Sequence, residues 1–392
     1  MDAAPVAVLG AGYAGLSAAN AIGKARRRRV AVTLIDRHDF HVLRTELFEL
    51  GKIARDPANL AAWAVPLSKA LIRHRVDAVQ GEVEGIDLAR KEVRVAGRSV
   101  PYRALVIALG SVPAYYGVPG AEQFTHQVYR FAGAQRLGEA LRRLETESAD
   151  WTDERRPRIA VVGGGSTGTE VAAEIATARW SRVVRRRARA PLVTMITGAV
   201  PFLDGLAPSL VAHARRLLTQ AKVTLVEGVN VERIDAGTAR LKDGTELGFD
   251  LAVWCAGVQA PPIVRTLPGR HGHAGRLEVT PELELPDWPG VFAVGDVMEL
   301  RDPTSGVLVP ATAQAALAEA PVAGRNVVAR LEGRTLEPFR YRPKGTIVSV
   351  GVRRAVGDVA GIPIWGRTAA GVATLQQREY AYRARHRRTT SR

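Results

Sequence analysis

The stretch Val6-Ala7-Val8-Leu9-Gly10-Ala11-Gly12-Tyr13-Ala14-Gly15 decides the fold. A short apolar strand runs directly into a GxGxxG pattern. In this pattern Gly10 permits a tight turn, Gly12 leaves room for a pyrophosphate against the backbone, and Gly15 lets the next helix approach the strand. The N–H groups at the start of that helix, expected over residues 16–24, would face the phosphates. The stretch therefore predicts a dinucleotide-binding site.

Because GxGxxG also arises by chance in loops, its surroundings decide its weight. A second apolar strand, Val30 to Ile35, follows the expected helix and ends at Asp36. This acid follows Gly15 at about the 20-residue distance from which a carboxylate reaches a ribose 2′-hydroxyl. Alternation of strand and helix favours an α/β class with a largely parallel sheet.

The same arrangement occurs a second time. The apolar residues 158–162 lead into Gly163-Gly164-Gly165-Ser166-Thr167-Gly168, and a helix carrying Glu170 follows. Gly163, Gly165 and Gly168 repeat the three glycine positions of the first site, so we expect two bound dinucleotides. Two such sites in one chain suggest a flavin that exchanges electrons with a nicotinamide.

The second site lacks the acid that the first one has. Its next strand, Leu192 to Ile196, ends at Thr197, where a carboxylate would bind the ribose of NAD. No arginine follows at once to bind the 2′-phosphate of NADP. The choice between NADH and NADPH is therefore open.

Three further apolar strands end in small residues, where ligands of open α/β sheets collect. They lead into Ala108-Leu109-Gly110, Cys255-Ala256-Gly257 and Gly295-Asp296. Asp296 could bind a ribityl hydroxyl or order the backbone at a phosphate. After Pro310 a helix is expected to begin, with Thr312 as its cap and its N-terminus directed at a flavin, and Pro321 should kink or restart it.

Composition narrows the class of protein. A chain of 392 residues with 46% hydrophobic content suggests two or three domains, each with enough apolar residues to form a hydrophobic core. Cys255 is the only cysteine, which excludes an intrachain disulfide or dithiol pair and suits a reducing, cytoplasmic compartment. No secretory signal and no apolar run of ~20 residues are visible, so we expect no spanning helix. His38 and His41 lack a third ligand at suitable spacing, and no metal site is predicted.

The chain is strongly basic, with 55 Lys and Arg against 39 Asp and Glu and a formal net charge of +16. Much of the excess lies in arginine runs at 26–29 and 185–187 and near the C-terminus. Such runs can bind anionic lipid or nucleic acid, or form a solvated surface. No nucleic-acid module is legible, so nucleic acid is not expected, and an anionic membrane surface and a homodimer stay open as partners. The last helix carries apolar residues without a clean stripe.

Taken in order, these motifs resemble those of the two-dinucleotide-domain flavoproteins, and within them the type II NADH:quinone oxidoreductases. The resemblance spans about residues 5–350. It implies an α/β fold with an FAD-binding domain formed by 1–111 and 258–335 and an NAD(P)H-binding domain at 112–257. Residues 336–392 would form a C-terminal region facing an interface or the inner face of the cell membrane.

The resemblance also implies an activity: FAD takes a hydride from NADH or NADPH and passes electrons to a quinone-type acceptor. Glu170 would lie near both rings and tune hydride transfer or proton uptake. The implied cofactor-binding residues are Gly10, Gly12, Ala14, Gly15, Asp36, Arg37, Val83, Ala108, Gly110, Gly163, Gly165, Gly168, Thr197, Gly257, Gly295, Asp296, Ala313 and Gln314.

One departure from the family leaves alternatives open. The quinone-side helix of the family commonly reads Ala-Gln-x-Ala-x-Gln, whereas this chain has Ala318 at the second Gln position and Glu319 after it. A soluble NAD(P)H:ferredoxin-type reductase is one alternative. A non-enzymatic FAD-binding redox sensor with a basic, nucleic-acid-contacting surface is another. Sulfide:quinone chemistry uses paired cysteines, which this chain cannot form.

Overall fold

The computed structural model describes residues 4–25, 30–49, 63–72, 75–149, 155–177 and 190–386. The arginine runs at 26–29 and 185–187, and the last residues of the basic tail, lie outside these ranges. Up to residue 107 the elements are β1 (Val6–Leu9), α1 (Tyr13–Gly23), β2 (Val32–Asp36), β3 (Phe40–Val42), β4 (Ala64–Pro66), α2 (Leu67–Ala70), β5 (Val76–Gln80), β6 (Val83–Asp87), β7 (Glu92–Val95), β8 (Arg98–Pro101) and β9 (Ala104–Ile107).

The middle of the chain contains β10 (Val112–Pro113), α3 (Ala121–Phe124), α4 (Phe131–Ala149), β11 (Arg158–Val162), α5 (Ser166–Thr177), β12 (Leu192–Ile196), α6 (Pro208–Gln220), β13 (Val223–Val226), β14 (Val231–Asp235), β15 (Thr238–Leu241), β16 (Glu246–Gly248) and β17 (Leu251–Trp254). The last part contains β18 (Val258–Gln259), α7 (Pro262–Arg265), β19 (Leu277–Glu278), β20 (Val291–Ala293), β21 (Met298–Glu299), α8 (Ala313–Leu331), β22 (Ile347–Ser349), β23 (Ala355–Val359), β24 (Ile362–Trp365) and α9 (Gly366–Arg385).

Two parallel sheets organise the molecule. The first has the strand order β20-β9-β1-β2-β5 and the second β13-β12-β11-β17, and every pairing within them is parallel. Central strands such as β1 and β9 are buried along their whole length, as expected for a sheet covered on both faces. The predicted α/β class with two Rossmann-like units is confirmed.

The chain crosses between the two sheets twice. It leaves the first sheet after β9 and returns to it with β20, after the second sheet is complete. The two crossings lie side by side, because β10 pairs antiparallel with β18. The first sheet is therefore built from two separate parts of the sequence.

The C-terminal region is a three-stranded antiparallel sheet, β22-β23-β24, followed by α9. Ala373, Gln377 and Tyr380 of α9 line a cavity, whereas Leu375 and Tyr382 are exposed. Leu375 and Tyr382 are seven residues apart and share one face of the helix. The apolar residues of α9 thus serve two faces, which explains why the sequence shows no clean stripe.

Some local predictions need correction. Helix α1 begins at Tyr13 rather than Leu16, because Gly12 is already its N-cap. Helix α8 runs as one helix through Pro321, so the predicted restart is wrong. Its packing against α1 offsets the cost of an interior proline, about 3 kcal/mol.

Helices α1 and α8 approach closely at Gly324. A Cβ at this position would lie 2.6 Å from the Cβ of Ala21 and 3.2 Å from the carbonyl oxygen of Ala18. Gly371, in the exposed part of α9, has no atom within 4 Å of the same position.

These two glycines provide a matched test of the packing. Gly324→Ala should lower the free energy of unfolding by about 1–3 kcal/mol through overpacking. Gly371→Ala should raise it by up to ~1 kcal/mol, because alanine favours the helix. Urea unfolding followed by circular dichroism measures both. Equal stabilisation by the two substitutions would contradict the close approach of α1 and α8.

Candidate active site between the two glycine loops

The first glycine loop joins β1 to α1. Gly10 has φ +96°, and a Cβ there would overlap the carbonyl oxygen of Ala108; a Cβ on Gly15 would overlap that of Gly10. Gly12 has nothing within 4 Å of its Cβ position. The outer two glycines are thus required by backbone contact, and the middle one borders open space where a phosphate can approach.

The second glycine loop, between β11 and α5, repeats this geometry. Gly163 has φ +124°, and a Cβ there would overlap the carbonyl oxygen of Cys255; one on Gly168 would overlap that of Gly163. Gly165 again borders open space. The sequence repeat therefore corresponds to a repeat of backbone geometry.

The two loops differ in the residue at the end of the neighbouring strand. Asp36 ends β2, and its Oδ2 accepts a hydrogen bond of 2.6 Å from the backbone N–H of Ala11. Its Oδ1 accepts one of 2.8 Å from the N–H of His38. A carboxylate is therefore held against the first glycine loop, whereas Thr197 at the second is neutral and only 1% exposed.

A cavity of about 660 Å³ lies between the two loops and the C-terminal region. This volume lies within the usual range of cofactor and ligand sites. Of the residues derived from the sequence, those lining it are Gly12, Ala14, Ala108, Gly110, Glu170, Gly257, Gly295, Asp296, Ala313 and Gln314. Those not in its lining are Gly10, Gly15, Asp36, Arg37, Val83, Gly163, Gly165, Gly168 and Thr197.

Two of the residues outside the lining are engaged elsewhere. Arg37 forms an exposed ion pair with Glu82, with 2.9 Å between Nη2 and Oε1. Val83 begins β6 and pairs with Val95. Neither contact brings the side chain to the cavity.

Sequence reasoning missed an ionic network in the cavity wall. The hydroxyl of Ser111 donates a hydrogen bond of 2.7 Å to Oδ2 of Asp296, and Arg44 lies 3.6 Å from the same oxygen. Arg44 also donates to the hydroxyl of Ser111, over 3.3 Å. Ser111 directly follows the glycine-bearing strand end at Gly110, and this position could have indicated it. Nothing local indicated Arg44, because its partners are distant in sequence.

Glu170 lies in the first turns of α5 and reaches the cavity. Its Oε1 accepts a hydrogen bond of 3.2 Å from the N–H of Ser349, in β22. Burial raises the pKa of its carboxyl to about 8, against the lowering effect of that hydrogen bond. The carboxyl is therefore protonated at neutral pH, and the cavity contains a group that can release a proton.

Helix α8 uses its polar residues to hold neighbouring backbone. Gln314 accepts hydrogen bonds at Oε1 from the N–H of Lys344 and the hydroxyl of Tyr341, and donates from Nε2 to the carbonyl of Gly345. Glu319, only 1% exposed, accepts a hydrogen bond of 2.7 Å from the N–H of Gly295. Burial is the main cause that raises the pKa of Glu319 to about 8.

The histidines and the cysteine singled out in the sequence have structural partners. His38 stacks on Phe40, and buried His41 contacts the carbonyl of Ala11 through Nδ1 (2.7 Å) and the hydroxyl of Tyr380 through Nε2 (3.0 Å). No group of three metal-ligating side chains occurs among the described residues. Cys255 is buried, and burial raises the pKa of its thiol to about 12, which makes a reactive thiolate unfavourable.

Comparison with known proteins places this geometry. The family model described as pyridine nucleotide-disulphide oxidoreductase matches residues 4–320. The chain belongs to this family. With a single cysteine, this family member cannot form a redox disulfide within the chain.

Two curated relatives match this chain over nearly its whole length. The demethylphylloquinone reductase NdbB of Synechocystis is 28% identical over 381 residues, covering 94% of this chain and 90% of the relative. The type II NADH:quinone oxidoreductase of Staphylococcus aureus is 28% identical over 388 residues, covering 94% and 93%. The resemblance to type II NADH:quinone oxidoreductases drawn from the sequence is confirmed.

A solved structure supports the same fold. NDH2 of Plasmodium falciparum in complex with NADH superposes with a TM-score of 0.84 at 15% identity, covering 97% of this chain and 96% of that one. Within the described part of the chain, helices fall short of the length and apolar character needed to span a membrane.

Proposed function

We propose that this protein is an FAD-dependent NADH:quinone oxidoreductase. The observation that carries the proposal is one cavity bordered by both glycine loops, with Gly12 on one side and Glu170 on the other. Two relatives whose names state quinone reduction match over 94% of the chain. A site for two dinucleotides suits electron transfer between a nicotinamide and a flavin.

The first sheet and its loops fit FAD. Gly12 leaves space that a pyrophosphate could occupy, Asp36 is held against the first glycine loop where it would bind a ribose hydroxyl, and the Asp296 network faces the cavity that Gly12 lines. We assign FAD to residues 1–111 and 258–335. Bound FAD would accept a hydride from the nicotinamide and pass the electrons on to the acceptor.

The second sheet, residues 112–257, is assigned to the nicotinamide cofactor. Gly165 leaves space that its pyrophosphate would occupy, while Ser166, Thr167 and Gly257 line the cavity between the two glycine loops. Glu170 lines the cavity and accepts a hydrogen bond from Ser349, and it would hold a proton near the rings of the bound cofactors. Its proposed role is to supply that proton when the acceptor is reduced.

The acceptor is proposed to bind against α8 and α9. Because Gln314 is engaged with the segment Tyr341 to Gly345, its amide shapes the wall. Gln377 and Tyr380 line the cavity from α9. Gln377 is the polar group proposed to contact a quinone carbonyl, because the hydroxyl proton of Tyr380 is directed at Nε2 of His41. Ala316 and Leu317 give the neighbouring surface the apolar character that a quinone ring needs.

The first test separates the proposed enzyme from its alternatives. The purified flavoprotein should lose its flavin absorbance when NADH is added without oxygen, and menadione should restore it. Steady-state turnover should be fast with menadione and at background with a ferredoxin. The opposite preference would support a ferredoxin-type reductase, and no bleaching by NADH or NADPH would favour a redox sensor.

The second test concerns Glu170. Since its carboxyl keeps its proton up to a pKa of about 8, turnover with menadione should fall as pH rises through that value. Glu170→Gln retains an acceptor for the Ser349 N–H but cannot ionise. We expect at least about a tenfold loss of turnover and no inflection near pH 8.

Glu319→Gln provides the matched control for that pH profile, because Glu319 is a second buried carboxyl with its pKa raised to about 8. Its profile should keep the inflection. An inflection that persists in Glu170→Gln would contradict the proposed proton donor.

We further propose peripheral attachment to the cytoplasmic face of an anionic membrane. Exposed large hydrophobic side chains concentrate in the C-terminal region: Ile362, Trp365, Leu375 and Tyr382 are each more than half exposed. Arginines accompany them on α9, and the chain carries a net charge of +16. Apolar anchors beside cations are the combination that binds an anionic lipid surface.

Vesicle sedimentation tests this attachment. The protein should sediment with phosphatidylglycerol-containing vesicles and less with phosphatidylcholine alone. The double substitution Leu375→Ser and Tyr382→Ser should weaken binding several-fold. Val200→Ser, at a comparably exposed position in residues 112–257, should leave binding unchanged. Equal binding by all three proteins would argue against α9 as the anchor.

A further inference from the structure

The end of β12 is built differently from the end of β2. Thr197 packs against the second glycine loop, with its Cγ2 2.8 Å from the Cβ position of Gly164. Its backbone N–H donates a hydrogen bond of 2.7 Å to the carbonyl of Val226, in β13. The side chain is buried and fills space beneath the loop. No negative charge is therefore presented at the strand end itself.

The carboxylate that follows the neighbouring strand is neutralised. Glu227 comes directly after β13 and forms a two-pronged ion pair with the guanidinium of Arg215, one bond of which measures 2.8 Å. The same guanidinium lies over the ring of Phe202, 5.1 Å from its centroid. Phe202 belongs to the segment after β12, whose Leu203 N–H donates to the carbonyl of Gly164. The charge of Glu227 is thus balanced by Arg215, and the pair packs on the segment that follows β12.

Asn230 contributes an amide at the same place. Its Oδ1 accepts a hydrogen bond of 3.1 Å from the N–H of Ala199, two residues beyond Thr197. This bond fixes the orientation of the amide, because only the oxygen can accept. Its Nδ2 then offers two N–H donors, and no hydrogen bond from that nitrogen to the described residues is present. The strand end therefore presents donors where a carboxylate would present acceptors.

We infer that the nicotinamide site accepts NADPH as well as NADH. Asn230, which lies between β13 and β14 and contacts the segment that follows β12, would donate a hydrogen bond to the 2′-phosphate. This rests on the proposed function, since it concerns the electron donor of the same reaction. A carboxylate at a strand end accepts hydrogen bonds from the ribose hydroxyls of NADH and repels the 2′-phosphate of NADPH, and such sites select NADH in this way. With Thr197 neutral and Glu227 paired, that repulsion is removed, and donors favour an anionic phosphate.

The test compares the two donors on the intact flavoprotein. In the wild type, kcat/KM for NADPH should lie within about tenfold of that for NADH, measured with menadione. Asn230→Asp keeps the acceptor for the Ala199 N–H but replaces the donor with a charge. It should lower the NADPH-to-NADH ratio of kcat/KM at least about tenfold, mainly through the KM for NADPH.

Lys222→Gln is the matched control, since it also lowers the net charge by one but lies just before β13, at the opposite end of that strand. It should leave the ratio unchanged. Ala199→Glu, at an exposed position beside Asn230, brings the same negative charge by a second route if Asn230→Asp fails to fold. It should lower the ratio in the same direction.

The outcomes separate this inference from the function on which it rests. Anaerobic bleaching by NADH with none by NADPH would overturn the inference and leave the proposed function standing. A ratio that neither Asn230→Asp nor Ala199→Glu lowers would overturn the role of Asn230. Absence of bleaching by both donors would overturn the proposed function, and the inference with it.

Discussion

The rest of the structure depends on one backbone contact that occurs in both glycine loops. In each, the third glycine of the loop presses against the carbonyl of the first, at Gly15 on Gly10 and at Gly168 on Gly163. Neither position can carry a side chain without displacing the helix from its strand. The contact brings the helix N-terminus beside the loop, so that its N–H groups and the bare middle glycine border the same space. The backbone geometry of both glycine loops follows from this approach, and residues that follow each loop line the cavity between them.

The C-terminal region connects these two sites. On one side Ser349 donates to Glu170, close to the second loop; on the other Tyr380 meets His41, which holds the carbonyl of Ala11 in the first loop. A carbonyl oxygen can only accept a hydrogen bond, so Nδ1 of His41 carries the proton. Nε2 of the same ring then accepts a hydrogen bond from the Tyr380 hydroxyl. The cavity wall formed by α9 is thus fixed to the first loop by a directional contact.

Much of the fold could be predicted because its signals are local. The strand, glycine loop and helix that form each site are contiguous in sequence. The strand ends at Gly110, Gly257 and Asp296 are likewise each marked by the residues directly before them. The cavity wall could not be predicted in the same way. The Arg44, Ser111 and Asp296 network, and the contact of Tyr380 with His41, join residues far apart in the chain. Pro321 shows the same limit, since tertiary packing of α8 outweighs the local preference.

The missing glutamine of the family pattern acquires a physical meaning in this setting. Helix α8 commits Gln314 to the segment Tyr341 to Gly345 and Glu319 to the N–H of Gly295, so its polar side chains stabilise backbone. Glu319 lies beside Asp296, and a protonated carboxyl avoids placing two negative charges together in the buried wall. With Ala318 in place of an amide, the polar groups proposed to meet an acceptor are Gln377 on α9 and Glu170 on α5. Acceptor chemistry is thus proposed to depend on the C-terminal helix, the same element whose exposed Leu375 and Tyr382 are the proposed membrane anchors.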